Sequence, residues 1–219
     1  MKVSTLNING KLKLTLQKDI QNLRPCQEKA INAGLLKNKN LLVCTPTASG
    51  KTLIAEIASL QSILNKKGKA IYIVPLKALA NEKYKDFKER YGKLCNIAIS
   101  IGDMDKSDTY LAKYDLIILT SEKLDSLLRH KVEWINEVST IVIDEVHLLN
   151  DPGRGPTLEV VITLLRQLLP KAQLIALSAT VGNPQELAEW LNAELVIDNW
   201  RPVELKKGIY YEGRVEFYK

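Results

Sequence analysis

A chain of 219 residues with 46% hydrophobic and 26% charged content has room for one large domain with a real core. It has no apolar run near the ~20 residues of a membrane-spanning helix, and its N-terminus (MKVSTLNINGKLKLTLQKD) lacks the apolar centre of a secretion signal. Net charge is +6 but uneven: residues 1–100 carry 18 Lys/Arg against 6 Asp/Glu, and the remainder carry 13 against 19.

A basic half suggests attraction to a polyanion, with nucleic acid the leading expectation. Any single lysine, including those of KKGK (66–69) and KYKDFKER (83–90), reads as solvating a helix face. Cys26, Cys44 and Cys95 are widely spaced, with no C-x-x-C pair. Buried, inert thiols in a reducing, cytoplasmic compartment are expected, and a zinc site is not.

In chain order, residues 1–22 read as an N-terminal appendage to a domain spanning 23–199. Pro25 stands where a first helical turn tolerates proline and opens a helix to about residue 36. The apolar run 41–44 predicts a strand, and 45–52 (TPTASGKT) follow it directly. A helix over 50–64 comes next, with Leu53, Ile54, Ile57, Leu60, Ile63 and Leu64 on one face. Strands are predicted at 70–74, 97–101, 116–119, 140–143, 174–177 and 195–197. Helices are predicted at 77–90, 122–130, 157–169 and 184–191. The tail 200–219 alternates weakly and reads as an edge strand or hairpin leaving the domain. Continuous rather than alternating apolar runs suit strands covered on both faces. Strand–helix alternation predicts a mostly parallel, doubly wound α/β sheet with helices on both faces and ligand loops at the strands' carboxyl ends.

The segment TPTASGKT is a nucleotide-phosphate cradle in composition. Thr47, Ala48, Ser49 and Gly50 are small enough for backbone N–H groups, with those of Lys51 and Thr52, to converge on phosphates. Lys51 reaches the β- and γ-phosphates as a point charge, and the Thr52 hydroxyl can ligate Mg²⁺. The usual first glycine of this pattern is Thr45. About ninety residues on, the buried run 140–143 delivers Asp144-Glu145-Val146-His147. Adjacent carboxylates after an apolar strand are costly unless a cation or a reaction needs them. ATP hydrolysis needs both, Asp144 to hold Mg²⁺ and Glu145 to orient and deprotonate water.

Further loops end the other strands: Pro75-Leu76-Lys77-Ala78-Leu79-Ala80, Gly102-Asp103, Thr120-Ser121-Glu122-Lys123-Leu124 and Ser178-Ala179-Thr180. Singly, each is also consistent with plain capping or a turn. In order, with the two segments above, they resemble motifs I, Ia, Ib, Ic, II and III of superfamily 2 helicases. The DEVH form, the segment 151–159 and WRPVEL (200–205) resemble the Ski2-like group, and 102–130 is especially similar to its archaeal DNA-repair helicase branch.

The resemblance implies a RecA-like P-loop NTPase fold with Lys51, Thr52, Asp144 and Glu145 as ATPase core. It implies Gln27 as the adenine contact and His147, Ser178 and Thr180 as couplers of nucleotide state to strand movement. It places Pro75, Lys77, Ala78, Gly102, Asp103, Thr120, Ser121 and Lys123 along the phosphate backbone of single-stranded or forked DNA. It also implies 3′-to-5′ translocation, a role at stalled forks and a second RecA-like domain in cis, whose motifs IV to VI have no counterpart in this sequence. Without the partner arginines the chain alone is expected to bind ATP weakly and hydrolyse almost none, since an arginine finger is worth ~10³–10⁵ in rate. Two other readings stay open: an RNA helicase or remodeller of the same group, and a non-catalytic interaction domain keeping the P-loop architecture.

Overall fold

The computed structural model describes residues 1–102, 108–179, 181–204 and 206–218. Its centre is a seven-stranded sheet of β1 (Leu41–Cys44), β2 (Lys69–Val74), β3 (Ile97–Ser100), β4 (Leu116–Thr120), β5 (Val138–Ile143), β6 (Gln173–Ser178) and β7 (Glu194–Ile197). The spatial order is β3-β4-β2-β5-β6-β1-β7, and every neighbouring pair runs parallel. All the strand carboxyl ends therefore open on one edge.

Successive side chains of a strand point to opposite faces, so a strand covered twice must be apolar throughout. In β2, Ala70, Tyr72 and Val74 join one apolar layer, while Ile71 and Ile73 join the other. The first layer is closed by α1 (Gly10–Gln17), α2 (Pro25–Ala33), α3 (Thr52–Leu64) and α4 (Lys77–Tyr91). The second is closed by α5 (Ser121–Arg129), α6 (Gly155–Leu168) and α7 (Pro184–Leu191). Each fully buried Leu, Ile or Val contributes about 1.5–3 kcal/mol, and dozens of them fix the strand order that brings β1 and β5 close.

Residues 3–16 are part of this packing. Val3, Leu6, Leu12 and Leu16 are at most 2% exposed, and the Asn9 N–H donates to Gln61 of α3 at 2.7 Å. Leu12 and Leu16, four apart on α1, lie on the face turned to the core. At the other end, β8 (Gly208–Tyr211) and β9 (Arg214–Phe217) pair as an antiparallel hairpin, exposed along its whole length. Among the described residues no helix is long and apolar enough to cross a membrane. Cys26, Cys44 and Cys95 are free and buried, as the sequence suggests.

Candidate nucleotide and nucleic-acid site

Strand β1 aims the small-residue loop at the carboxyl edge. Its register with β6 pairs Cys44 with Ser178, and the Thr45 N–H donates to the Ser178 carbonyl at 3.2 Å. Strand β6 lies between β1 and β5, so Ser178 at its end stands between the phosphate loop and the acid pair. Thr45, standing where the pattern has glycine, is fully buried, and its hydroxyl lies 2.7 Å from that of Ser49. That contact braces the loop across its base. Ala48 and Gly50 adopt positive φ, +63° and +92°, which turns the chain back on itself. At φ +92° any Cβ at Gly50 is strained, and it would also come 2.6 Å from Gln27 Nε2 and displace that amide.

Helix α2 clasps the loop from the side. Gln27 Nε2 donates to the Gly50 carbonyl at 2.9 Å, while its Oε1 accepts the Arg24 N–H at 2.8 Å. Arg24 donates to the Ala48 carbonyl at 2.6 Å and stacks over Trp200, 5.6 Å from the ring centroid. The Cys26 thiol donates to the Ser49 carbonyl. Gln27 is 4% exposed, with its amide turned to the loop.

The paired carboxylates meet this loop. Lys51, 7% exposed, places its ammonium 3.3 Å from the Glu145 carboxylate. Glu145 is held in the left-handed region at φ +54°, a strained backbone for a non-glycine residue. That turn points its side chain back toward β1. Asp144 accepts the Tyr72 hydroxyl on Oδ2 at 2.9 Å and the Glu145 N–H on Oδ1 at 3.0 Å. Burial pushes the Asp144 carboxyl above its ordinary range, and the nearby Lys83 ammonium opposes that shift. Lys83, on α4, lies 3.3 Å from the Thr52 hydroxyl and 3.9 Å from Asp144 Oδ2. Thr52 and Asp144 thus flank one position already taken by a positive charge. His147 Nδ1 is 3.3 Å from Glu145 Oε2 without hydrogen-bond geometry, an attraction that operates only when the ring is protonated.

Tyr72 and Lys83 escaped the sequence reading. Tyr72 is a fully buried phenol in mid-strand, and its donor requires a partner. Composition alone makes Lys83 a lysine that solvates a helix face, and the structure corrects this: its side chain is 18% exposed and turned to the Asp144 carboxylate. The available signal was spacing. Ala80 and Phe87 are buried on α4 at three before and four after it, so Lys83 shares their inward stripe.

The loops expected to hold nucleic acid divide in two. Leu76, Lys77, Ala78 and Gly102 are exposed on the carboxyl edge and Pro75 is half-buried there. Thr120, Ser121 and Lys123 are at most 4% exposed. Thr120 caps α5, its hydroxyl accepting the Lys123 N–H, and the Lys123 ammonium turns inward to Asp108 at 3.0 Å. Asp108 also accepts the Ser100 hydroxyl at 2.9 Å, tying the ends of β3 and β4 together. These three side chains therefore face the protein, and a phosphate contact would require them to turn outward. Asp103 and Thr180 lie outside the described residues.

Residues 24–187 match the family model for DEAD/DEAH box helicases. The chain is 55% identical over 218 residues to the ATP-dependent DNA helicase Hel308 of Pyrococcus abyssi, covering 98% of this chain and 30% of that protein. With the protein of the same name from Methanocaldococcus jannaschii, identity is 60% over 209 residues, covering 90% and 17%. Among solved structures it resembles the DUF1998 helicase MrfA bound to DNA, with a TM-score of 0.77 and 28% identity over 88% of this chain and 30% of that one. The chain thus spans a third or less of these relatives. An unbroken match from Arg24 beside the phosphate loop to Leu187 beyond β6 means that this chain is a member of the DEAD/DEAH box helicase family.

Proposed function

We infer that this chain is the first motor domain of an ATP-dependent DNA helicase, holding ATP·Mg²⁺ between residues 45–52 and Asp144-Glu145 and a DNA strand along the 75–78 and 102 loops. The observation that carries the reading is the meeting of Lys51 with Glu145 at 3.3 Å, beside Thr52 and Asp144 around one cation position. The donor set fits the metal: a hydroxyl and a carboxylate are hard oxygen ligands suited to Mg²⁺, and Asp144 is fixed by Tyr72. Bound there with the nucleotide, Mg²⁺ would neutralise phosphate charge as it develops.

The chain's own groups supply the rest. Lys51, paired with Glu145, is placed to transfer its ammonium to the phosphates. That transfer frees Glu145 to orient a water and accept its proton. Backbone N–H groups of Ala48, Gly50, Lys51 and Thr52 would surround the phosphates at the start of α3, where the helix dipole favours an anion, while that of Ser49 donates to the Pro46 carbonyl. Gln27 and Arg24, fastened to the Gly50 and Ala48 carbonyls, stand beside the loop where adenine recognition would report on its shape.

Exposed Lys77, Ala78 and Gly102 lie on the same edge as this site. Strand contacts there reach phosphates rather than bases, so binding would be largely independent of sequence and steeply dependent on salt. Motion would come from alternating closure against a second RecA-like domain, and such a domain would also supply the arginines that complete hydrolysis. The relatives named ATP-dependent DNA helicases and the DNA-bound neighbour support DNA over RNA as the polymer.

Titrating ATP·Mg²⁺ into this chain and into Lys51→Ala tests the site. The parent should bind and the variant should lose at least about tenfold in affinity, the loss of one charge-assisted contact. Equal affinities would favour a non-catalytic interaction domain.

A further inference from the structure

Lys83 is in an unusual place for a helix lysine. Its ammonium sits 3.3 Å from the Thr52 hydroxyl and 3.9 Å from Asp144 Oδ2, the two oxygens assigned above to the divalent cation. It is the foremost influence restraining the upward shift of the Asp144 carboxyl that burial causes. The geometry points to Lys83 as a built-in competitor of the metal, holding the Thr52–Asp144 pair by its own charge and having to leave before a divalent cation can bind. This rests on the ATP·Mg²⁺ reading of the site.

An ammonium and a divalent cation repel, and one small polar position between a hydroxyl and a buried carboxylate cannot take both. Without Lys83, Asp144 would be left buried beside Glu145 with the Tyr72 hydroxyl, one N–H and the weaker influence of Lys51 against its charge. Lys83 therefore sets its own positive charge beside the carboxylate and the Thr52 hydroxyl, at the expense of metal affinity. Four flexible methylenes let the ammonium withdraw without moving the helix far. Glu56, whose carboxyl already feels Lys83, offers a second acidic neighbour on withdrawal.

Position on α4 gives the exchange a consequence. The helix opens at Lys77, directly after half-buried Pro75 and exposed Leu76 on the edge assigned to the DNA strand. Lys83 lies less than two turns further on. Displacing its ammonium changes what tethers α4 to the phosphate loop, so metal–nucleotide binding and the strand-contacting turn share one element.

The test measures Mn²⁺·ADP binding by electron paramagnetic resonance and, separately, ADP binding in EDTA. It compares the parent, Lys83→Met, Lys83→Gln and Lys83→Arg, with thermal melts to verify folding. If Lys83 competes, Met and Gln should tighten Mn²⁺·ADP by roughly tenfold while weakening metal-free ADP and lowering the melting temperature without ligand. Arg, which keeps the charge, should stay near the parent. A structural role would weaken both ligands together. That result, or no change in either, overturns the inference while leaving the ATP site intact. A parent that binds no Mn²⁺·ADP would overturn the functional reading and this inference with it.

Discussion

Replacing Tyr72 by phenylalanine removes one oxygen from the interior and nothing else. The ring of Tyr72 is fully buried, packed edge-on against Phe87 at 5.4 Å, so the variant leaves no large cavity and keeps its aromatic neighbour. What disappears is the 2.9 Å hydrogen bond to Asp144 Oδ2. A hydrogen bond to a charged group contributes about 1.5–3 kcal/mol. Loss of about 2 kcal/mol in a domain of this size lowers the melting temperature by about 4–8 °C.

The same bond helps hold the Asp144 carboxyl down against burial, which pushes it up. In Tyr72→Phe that carboxyl should rise further, so more of it is protonated at a given pH. Metal–nucleotide affinity should therefore fall at higher pH in the variant than in the parent as pH is lowered toward the ordinary carboxylate range. Differential scanning calorimetry and Mn²⁺·ADP titration across a pH series provide the readings. A variant with the parent's melting temperature and an unchanged pH profile would refute the claim that Tyr72 supports the metal-side carboxylate.

Gly50→Ala should be damaging although it adds a single methyl group: φ is +92°, and the new Cβ would lie 2.6 Å from Gln27 Nε2. A loss of about 2 kcal/mol from strain and the broken Gln27 contact should appear in urea unfolding, together with weakened nucleotide binding; wild-type behaviour in both would contradict the loop geometry. Glu56 is buried on α3 beneath the Tyr91 hydroxyl and Arg90, and burial raises its carboxyl above the ordinary range. The folded state therefore binds this proton more tightly than the unfolded state, and stability falls as pH rises from the ordinary glutamate value through the raised one. Glu56→Gln should gain stability relative to the parent over that window, seen as a melting-temperature difference that grows as pH rises above the ordinary glutamate value; a difference that shrinks would show the sign to be wrong.

The sheet was legible because its strands are apolar at every position, as in 116–119 and 140–143, a pattern that two-sided burial requires. The phosphate loop and the acid pair were legible for a similar reason: small residues and adjacent carboxylates at strand ends have few structural uses. Their approach to one another was expected from the chemistry and from the helicase resemblance, but the strand order that produces it, with β6 between β1 and β5, pairs segments far apart in sequence and cannot be derived from local pattern. Sequence also could not show that Thr120, Ser121 and Lys123 turn inward. For Lys123 that orientation depends on Asp108, whose left-handed turn at φ +43° brings a carboxylate to its ammonium, and for Thr120 on capping the Lys123 N–H. Residues 1–22, expected as an appendage, carry Leu12 and Leu16 into the core through an apolar spacing too brief to stand out from their polar neighbours.

The central claim is that the lysine–threonine loop and the aspartate–glutamate pair close around a single magnesium-bound triphosphate. A crystal structure of this chain with Mg²⁺ and a non-hydrolysable ATP analogue tests it most directly. The expected result is a metal bound by the Thr52 hydroxyl on the Asp144 side, with Lys51 on the phosphates and no longer on Glu145. A nucleotide bound elsewhere, or a metal remote from both Thr52 and Asp144, would contradict it.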